Sequence, residues 1–193
     1  MRVVAFNGSP RKGGNTEILL NEVLKVIASH GIDTELVQVG GTDINGCRAC
    51  LRCRKENDGR CHNNSPFMNE CIAKMEEADG IIIGSPVYYT DVTAEIKALI
   101  DCAGYSMGPV NRLRHKPGAA VIAVRRAGSI HAFDTINHFF LINEMIVPGS
   151  SYWNMGIGRQ KGDVLDDAEG IRTMNTLGEN FAWLLETINK REG

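Results

Sequence analysis

Four cysteines fall close together in the chain, Cys47, Cys50, Cys53 and Cys61, spaced C-x2-C-x2-C-x7-C. Three thiols at x2 spacing let one tight turn aim three thiolates at a common centre, and the fourth comes from the same stretch. The pattern predicts a metal site. Three at x2 favours iron, four thiolates also suit structural zinc, and free or redox-active thiols are the third reading. Arg48, Arg52, Arg54, Lys55 and Arg60 lie among the cysteines and would offset the negative charge of a cluster, although a solvated basic loop explains them more simply. His62 is not needed as a ligand. Cys71 and Cys102 fall in helical segments among apolar neighbours, where a buried thiol is commoner than a reactive one.

A second stretch, Asn7-Gly8-Ser9-Pro10-Arg11-Lys12-Gly13-Gly14-Asn15-Thr16, joins a strand-like run to a helical one. At such a junction in an open α/β sheet, unpaired backbone amides and the positive end of the helix face a crevice where phosphorylated ligands bind. Glycines, Gly14 among them, let the backbone approach a phosphate closely. Ser9, Asn15 and Thr16 add short donors, and Arg11 adds charge. Lys12 precedes the glycines and no Gly-Lys-Ser/Thr follows, so the loop is neither a Walker A sequence nor GxGxxG. The plain alternative is a βα turn in which Asn15 or Thr16 merely caps the helix.

Positioning these segments requires a scaffold. Short β-branched runs alternate with longer segments of helical period, the pattern of a parallel sheet covered on both faces. Strands are expected at Arg2–Asn7, Asp33–Val39, Gly80–Gly84, Gly118–Arg125 and Met145–Ser150. Helices are expected at Asn15–His30, Phe67–Ala78, Thr93–Cys102, Ile130–Asn143 and Asp166–Asn189. Two segments are too long and polar for simple connections, 40–66 after the second strand and 151–162 after the fifth, and specialised function is expected there.

The loop from Gly8 to Thr16, together with Gly84-Ser85-Pro86-Val87-Tyr88-Tyr89 at the end of the third strand, resembles the NADPH-dependent FMN reductase and iron-sulfur flavoprotein group of the flavodoxin-like superfamily, over nearly the whole chain. The resemblance implies an α/β three-layer sandwich with a five-stranded parallel sheet in the order 2-1-3-4-5 and helices on both faces. In that order the crevice opens between strands one and three, so both loops flank one site. The resemblance further implies bound FMN, its phosphate held by Ser9, Arg11, Gly14, Asn15 and Thr16 and its ring lying along Pro86, Val87, Tyr88 and Tyr89. After the fourth strand, Arg125 or Arg126 facing the ring would stabilise the charge of reduced FMN, and Gly128 would allow close approach; arginines turned to solvent are the alternative. The cysteine spacing is similar to the compact motif of iron-sulfur flavoproteins, which implies a [4Fe-4S] cluster on Cys47, Cys50, Cys53 and Cys61 beside the FMN. Subunits of that group cover parts of one another's flavin sites. Tyr152 or Trp153 is therefore expected at a contact in a homodimer or homotetramer or over a flavin, with simple burial as the alternative.

The leading functional expectation is an FMN-dependent oxidoreductase that passes electrons from a donor such as NAD(P)H to a cluster, quinone or other small-molecule or protein redox partner. The flavin does the chemistry, so no catalytic side chain is assigned. The alternatives are a clusterless NAD(P)H-dependent FMN or quinone reductase, a non-enzymatic carrier like flavodoxin, and a thiol redox sensor. A carrier usually needs a strongly acidic docking face, and a net charge of −2 argues against it. The same charge excludes the strong basic field of a nucleic-acid or anionic-membrane binder. With 193 residues, 43% of them hydrophobic, one domain carrying the 40–66 insertion is expected. No apolar run approaches the roughly 18 residues of a membrane span. The start of the chain runs straight into a strand, and the expected location is cytoplasmic, where a reducing environment keeps thiols free.

Overall fold

The computed structural model describes residues 1–189. Five parallel strands, β1 (Arg2–Asn7), β2 (Asp33–Gln38), β3 (Gly80–Pro86), β4 (Gly118–Val124) and β5 (Met155–Ile157), form one sheet in the order β2-β1-β3-β4-β5. This is the expected flavodoxin-like topology. Asn7 pairs with Gly84 across β1 and β3, so the two loops singled out in the sequence leave the sheet side by side at its C-terminal edge.

Alternate residues along each strand point to opposite faces, and each face builds its own apolar core. Val4, Phe6, Ile81, Ile83, Ala120 and Ile122 pack under α3 (Pro66–Glu77), α4 (Ala94–Met107) and α5 (Ser129–Ile142). Val3, Ala5, Ile82, Ala119 and Val121 pack under α1 (Asn15–Ser29) and α6 (Ala168–Asn189). The helix starts follow familiar chemistry. Ser65 caps α3, with Pro66 opening its first turn, and Thr93 caps α4. Helix α1 is different: Gly14 stands at its N-cap and no side chain caps it. Its end is left open toward the C-terminal edge of the sheet.

Three expectations are corrected by the structure. The fifth strand lies at Met155–Ile157 and not at Met145–Ser150. Ile146 does touch the sheet edge, bridging to Pro117 with its amide donating to the Lys116 carbonyl at 3.0 Å. Pro148 then offers no N–H to continue the ladder, and the chain leaves the edge until Asn154 accepts from the Ile122 amide at 2.9 Å. The 151–162 segment therefore straddles the last strand and does not follow it. Six α-helices are present among the described residues where five were expected, because the cysteine insertion contains α2 (Arg52–Glu56). Helix α4 runs on past Cys102 to Met107, and Gly104, where an added Cβ would stand 3.8 Å from Phe139 of α5, does not interrupt it. The remaining element ends agree to within one or two residues. Among the described residues, no helix is long and apolar enough to cross a membrane.

Candidate functional site

The loop after β1 is held by a buried polar relay. Asn7, fully buried, accepts from the Ser9 amide at 3.0 Å and donates to Gln38 at 2.8 Å. Gln38 in turn donates to the carbonyls of Ser9 and Gly40, at 2.7 and 2.6 Å. From the other side the Gly8 amide donates to the Gly84 carbonyl at 2.8 Å, and the Thr93 hydroxyl donates to the Gly8 carbonyl at 3.0 Å. The loop is thereby fixed to β2, β3 and α4 before it turns into α1. Within it, the Arg11 amide donates to Ser9 Oγ at 3.3 Å, the Gly14 amide to the Arg11 carbonyl at 3.0 Å, and the Gly13 amide to the Glu17 carboxylate at 2.6 Å. At the head of α1, Thr16 is 1% exposed and its hydroxyl has no hydrogen-bond partner among the described residues.

The loop after β3 forms the facing wall. Ser85 Oγ donates to the Pro86 carbonyl at 2.8 Å and accepts from the Thr93 amide at 3.1 Å, while the Val87 amide donates to Ala123 of β4 at 3.0 Å. Tyr88 and Asp91 exchange backbone hydrogen bonds of 2.8 and 3.0 Å around a two-residue turn in which Tyr89 and Thr90 both have positive φ, 47° and 69°. That geometry is costly for a β-branched residue. Gly128, at φ 88°, lies where an added Cβ would come within 2.9 Å of Thr90 Cα, so the loop after β4 packs directly on this turn. Its role in the structure is this close approach, and it does not line the cleft.

Between these walls lies a cleft of about 390 Å³, within the range of roughly 300–1,000 Å³ usual for small-ligand sites. Ser9, Arg11, Gly14, Asn15, Thr16, Pro86, Val87, Tyr88 and Arg125 all line it. Three residues expected there do not: Tyr89, which stands fully exposed at the tip of its turn, Arg126 and Gly128. Tyr152 and Trp153 are also outside it, 58% and 53% exposed, with Trp153 packed on Phe133 of α5 at 6.2 Å between ring centroids.

A third wall is the segment after β5, with Gly158, Arg159, Gln160 and Lys161 on the cleft; they lie in the 151–162 stretch where specialised function is expected, although the sequence does not single them out as cleft residues. Asn15 holds it: its Nδ2 donates to the Gln160 carbonyl and its Oδ1 accepts from the Gly162 amide, both at 2.8 Å. The cleft thus collects Arg11, Arg125, Arg159 and Lys161 and no acidic side chain. Among the described residues, none of these four cations has a carboxylate within 4.0 Å. An uncapped helix end, an orphaned buried hydroxyl and unpaired cations together fit the phosphate of a flavin mononucleotide. The signals for the third wall in the sequence are the length and polarity of the 151–162 stretch and its turn glycines, Gly158 and Gly162, bracketing two basic residues.

The cysteine insertion packs on α4. Cys47, Cys50, Cys53 and Cys61 line one small pocket of about 20 Å³ together with Cys102 and Tyr105 of α4. Cys53 Sγ donates to the Tyr105 carbonyl at 3.6 Å, Cys47 Sγ accepts from the Ala49 amide at 3.4 Å, and Cys61 is held through Asn69, whose side chain bonds both its amide and its carbonyl. Ala49 and Leu51, between the first cysteines, both have positive φ, near 50° and 56°, which is how one short turn faces several thiols the same way. All are free thiols. Burial pushes the Cys53 thiol up, and it pushes Cys71 and Cys102 up to about 12, so the latter two are the inert buried thiols expected of them. Among the described residues, no three His, Cys, Asp or Glu side chains are gathered tightly enough to hold a single metal ion. Four thiols share one pocket, with Arg54 stacked on Tyr105 beside it, 5.4 Å from the ring centroid.

Comparison with known proteins agrees with this geometry. The sequence model of a family described as NADPH-dependent FMN reductase matches residues 1–160. The chain is 38% identical over 203 residues to an iron-sulfur flavoprotein of Methanocaldococcus jannaschii, covering 98% of this chain and 100% of that protein. It is 31% identical to an iron-sulfur flavoprotein of Methanosarcina thermophila, covering 98% of each. In fold it is similar to a flavodoxin, WrbA-like protein from Agrobacterium tumefaciens, with a TM-score of 0.68 at 14% identity over 96% of this chain and 97% of that one.

Proposed function

The chain belongs to the NADPH-dependent FMN reductase family of FMN-binding flavoprotein oxidoreductases, and from that premise we propose that it binds one FMN in the cation-lined cleft and a [4Fe-4S] cluster on its four clustered cysteines, drawing electrons from a reduced pyridine nucleotide. The observation that carries the FMN assignment is the Thr16 hydroxyl, buried and unpartnered at the open end of α1. A buried hydroxyl left without a partner costs about 1–3 kcal/mol, and a phosphate oxygen at the helix end would satisfy it. FMN, when bound, supplies the hydride-accepting and one-electron chemistry. The chain's own contribution is placement. Ser9, Arg11 and Thr16 hold the phosphate end, Pro86 to Tyr88 form the wall along which the ring lies, and Arg125 puts positive charge at the end of β4, where it favours the more negative reduced cofactor.

Cys47, Cys50, Cys53 and Cys61 would hold the cluster, and the names of the two relatives support that reading. A clusterless reductase is the second reading, favoured by the absence of a tight ion-holding group among the described residues and by the exposure of Cys47 and Cys50. One experiment separates them: an absorption spectrum of protein purified without oxygen, with iron, sulfide and zinc assays on the same sample. The expected result is flavin bands above a broad iron-sulfur absorbance, with about four irons per chain. A flavin spectrum without metal selects the clusterless enzyme, and zinc without sulfide overturns the redox role of the cysteines.

A further inference from the structure

The loop between β1 and α1 does not account for everything built around the cleft. The segment Gly158–Asp163 is held by five hydrogen bonds beyond ordinary chain connectivity, three to the loop and head of α1 and two within the segment. Asn15 engages Gln160 and Gly162 at 2.8 Å each, the Asp163 carboxylate accepts from the amides of Arg159 and Gln160 at 3.0 and 2.6 Å, and Lys161 Nζ donates to the Lys12 carbonyl at 3.0 Å. That last contact carries the Lys161 ammonium to the phosphate loop itself: a Cβ added at Gly13 would lie 2.8 Å from Nζ. An ammonium has three donors, and one is used. The acids nearby are otherwise engaged, Asp163 with its own loop and Glu17 with the Gly13 amide at 2.6 Å. A lysine and an arginine held at a cleft without a counter-ion, next to a buried unpartnered hydroxyl, define a site for an anion.

Resting on the FMN reading above, we infer that the segment after β5 is a second phosphate-binding element, in which Lys161, supported by Arg159, closes on the phosphate monoester from the β5 side of the cleft. The open end of α1 and the Thr16 hydroxyl hold that phosphate from below, and Lys161 supplies the full charge that neutral amides lack. Asn15 is a positioning residue, because both ends of its amide hold the segment in place, Nδ2 on the Gln160 carbonyl and Oδ1 on the Gly162 amide. The element reads the phosphate and nothing else of the flavin, so it sets the preference for FMN over riboflavin.

The test is titration of flavin-free protein with FMN and, separately, with riboflavin, followed by quenching of flavin fluorescence, for wild type, Lys161→Gln, Lys161→Arg and Asn15→Ala. Wild type is expected to prefer FMN. Lys161→Gln should weaken FMN by roughly 10- to 100-fold while changing riboflavin by less than about twofold, and Lys161→Arg should restore most of the loss. Asn15→Ala should reduce the FMN preference in the same way, and combining it with Lys161→Gln should add little. An FMN-to-riboflavin ratio unchanged in Lys161→Gln overturns the second element and leaves the FMN reading intact. A wild type that binds neither flavin overturns the FMN reading, and this inference with it.

Discussion

The Thr16 hydroxyl concentrates a conflict between stability and binding in one side chain. Buried at the head of α1 with no partner, it burdens the flavin-free protein and becomes useful only when an acceptor enters the cleft. Replacing it with valine keeps the shape and removes the polar atom. Thr16→Val is therefore expected to raise the stability of flavin-free protein by about 1 kcal/mol, seen in thermal denaturation, and to weaken FMN by about tenfold in the same titration used above. Stability and affinity that fall together would show that the hydroxyl has a partner within the protein. At this scale much of the site was legible, because Ser9, Arg11, Gly14 and Thr16 sit in a turn whose composition already implies a phosphate. Asn15 lines the cleft as the sequence leads one to expect, and its amide also reaches a segment 145 residues further along, a partnership that no local spacing reveals. The resemblance puts Tyr89 along the ring, but the positive φ at Tyr89 and Thr90 swings it to the tip of the turn.

Elements were legible in proportion to how far their own periodicity determined them. Strands β1, β3 and β4 are apolar almost throughout because both faces are covered, and they lie where the sequence puts them. Strand β5 is only Met155-Gly156-Ile157, and Gly156 is there because a Cβ would come within 2.7 Å of Leu19 of α1. A strand chosen by tertiary packing loses to the more strand-like Met145-Ile146-Val147 in any local reading. The pairing of α1 with α6 adds an electrostatic tie at the end of α1, where His30 meets Glu179 at 2.9 Å and Glu186 at 3.4 Å. The hydrogen bond that His30 donates to Glu179 is the largest influence and raises the imidazole above its ordinary value of 6.5, despite the opposing effect of desolvation. A folded-state value above the unfolded one means that the contribution is fully present below pH 6.5 and is lost as pH rises through the folded value. His30→Gln should thus cost about 0.5 kcal/mol at pH 6 and almost nothing at pH 9, measured by urea unfolding at the two values. An equal cost at both would assign His30 a packing role only.

Seen as a whole, the molecule places the cation-lined cleft and the cysteine pocket along one helix. Thr93, at the start of α4, holds the Gly8 carbonyl of the phosphate loop, while Cys102 and Tyr105 further along α4 line the cysteine pocket. From Thr93 to Cys102 a helix rises by about 14 Å, a span that fixes the two sites rigidly relative to each other. The energetic dependence runs unevenly between them. The flavin cleft is made of strand ends and helix starts that belong to the two cores, whereas Cys47, Cys50 and Cys53 belong to neither, and only Cys61 packs partly against one. Losing the proposed cluster should therefore leave the sheet and its cleft standing. Cys50→Ser, or chelation of iron from the wild type, is expected to abolish the iron-sulfur absorbance while keeping one FMN per chain and lowering stability by less than about 1 kcal/mol, or roughly 3 °C in Tm. Iron, flavin and Tm can be measured on one sample before and after chelation. Loss of FMN along with the iron would mean that the insertion supports the phosphate loop through Gly41, whose amide donates to Glu95 of α4 at 3.1 Å, and that the two centres form one folding unit.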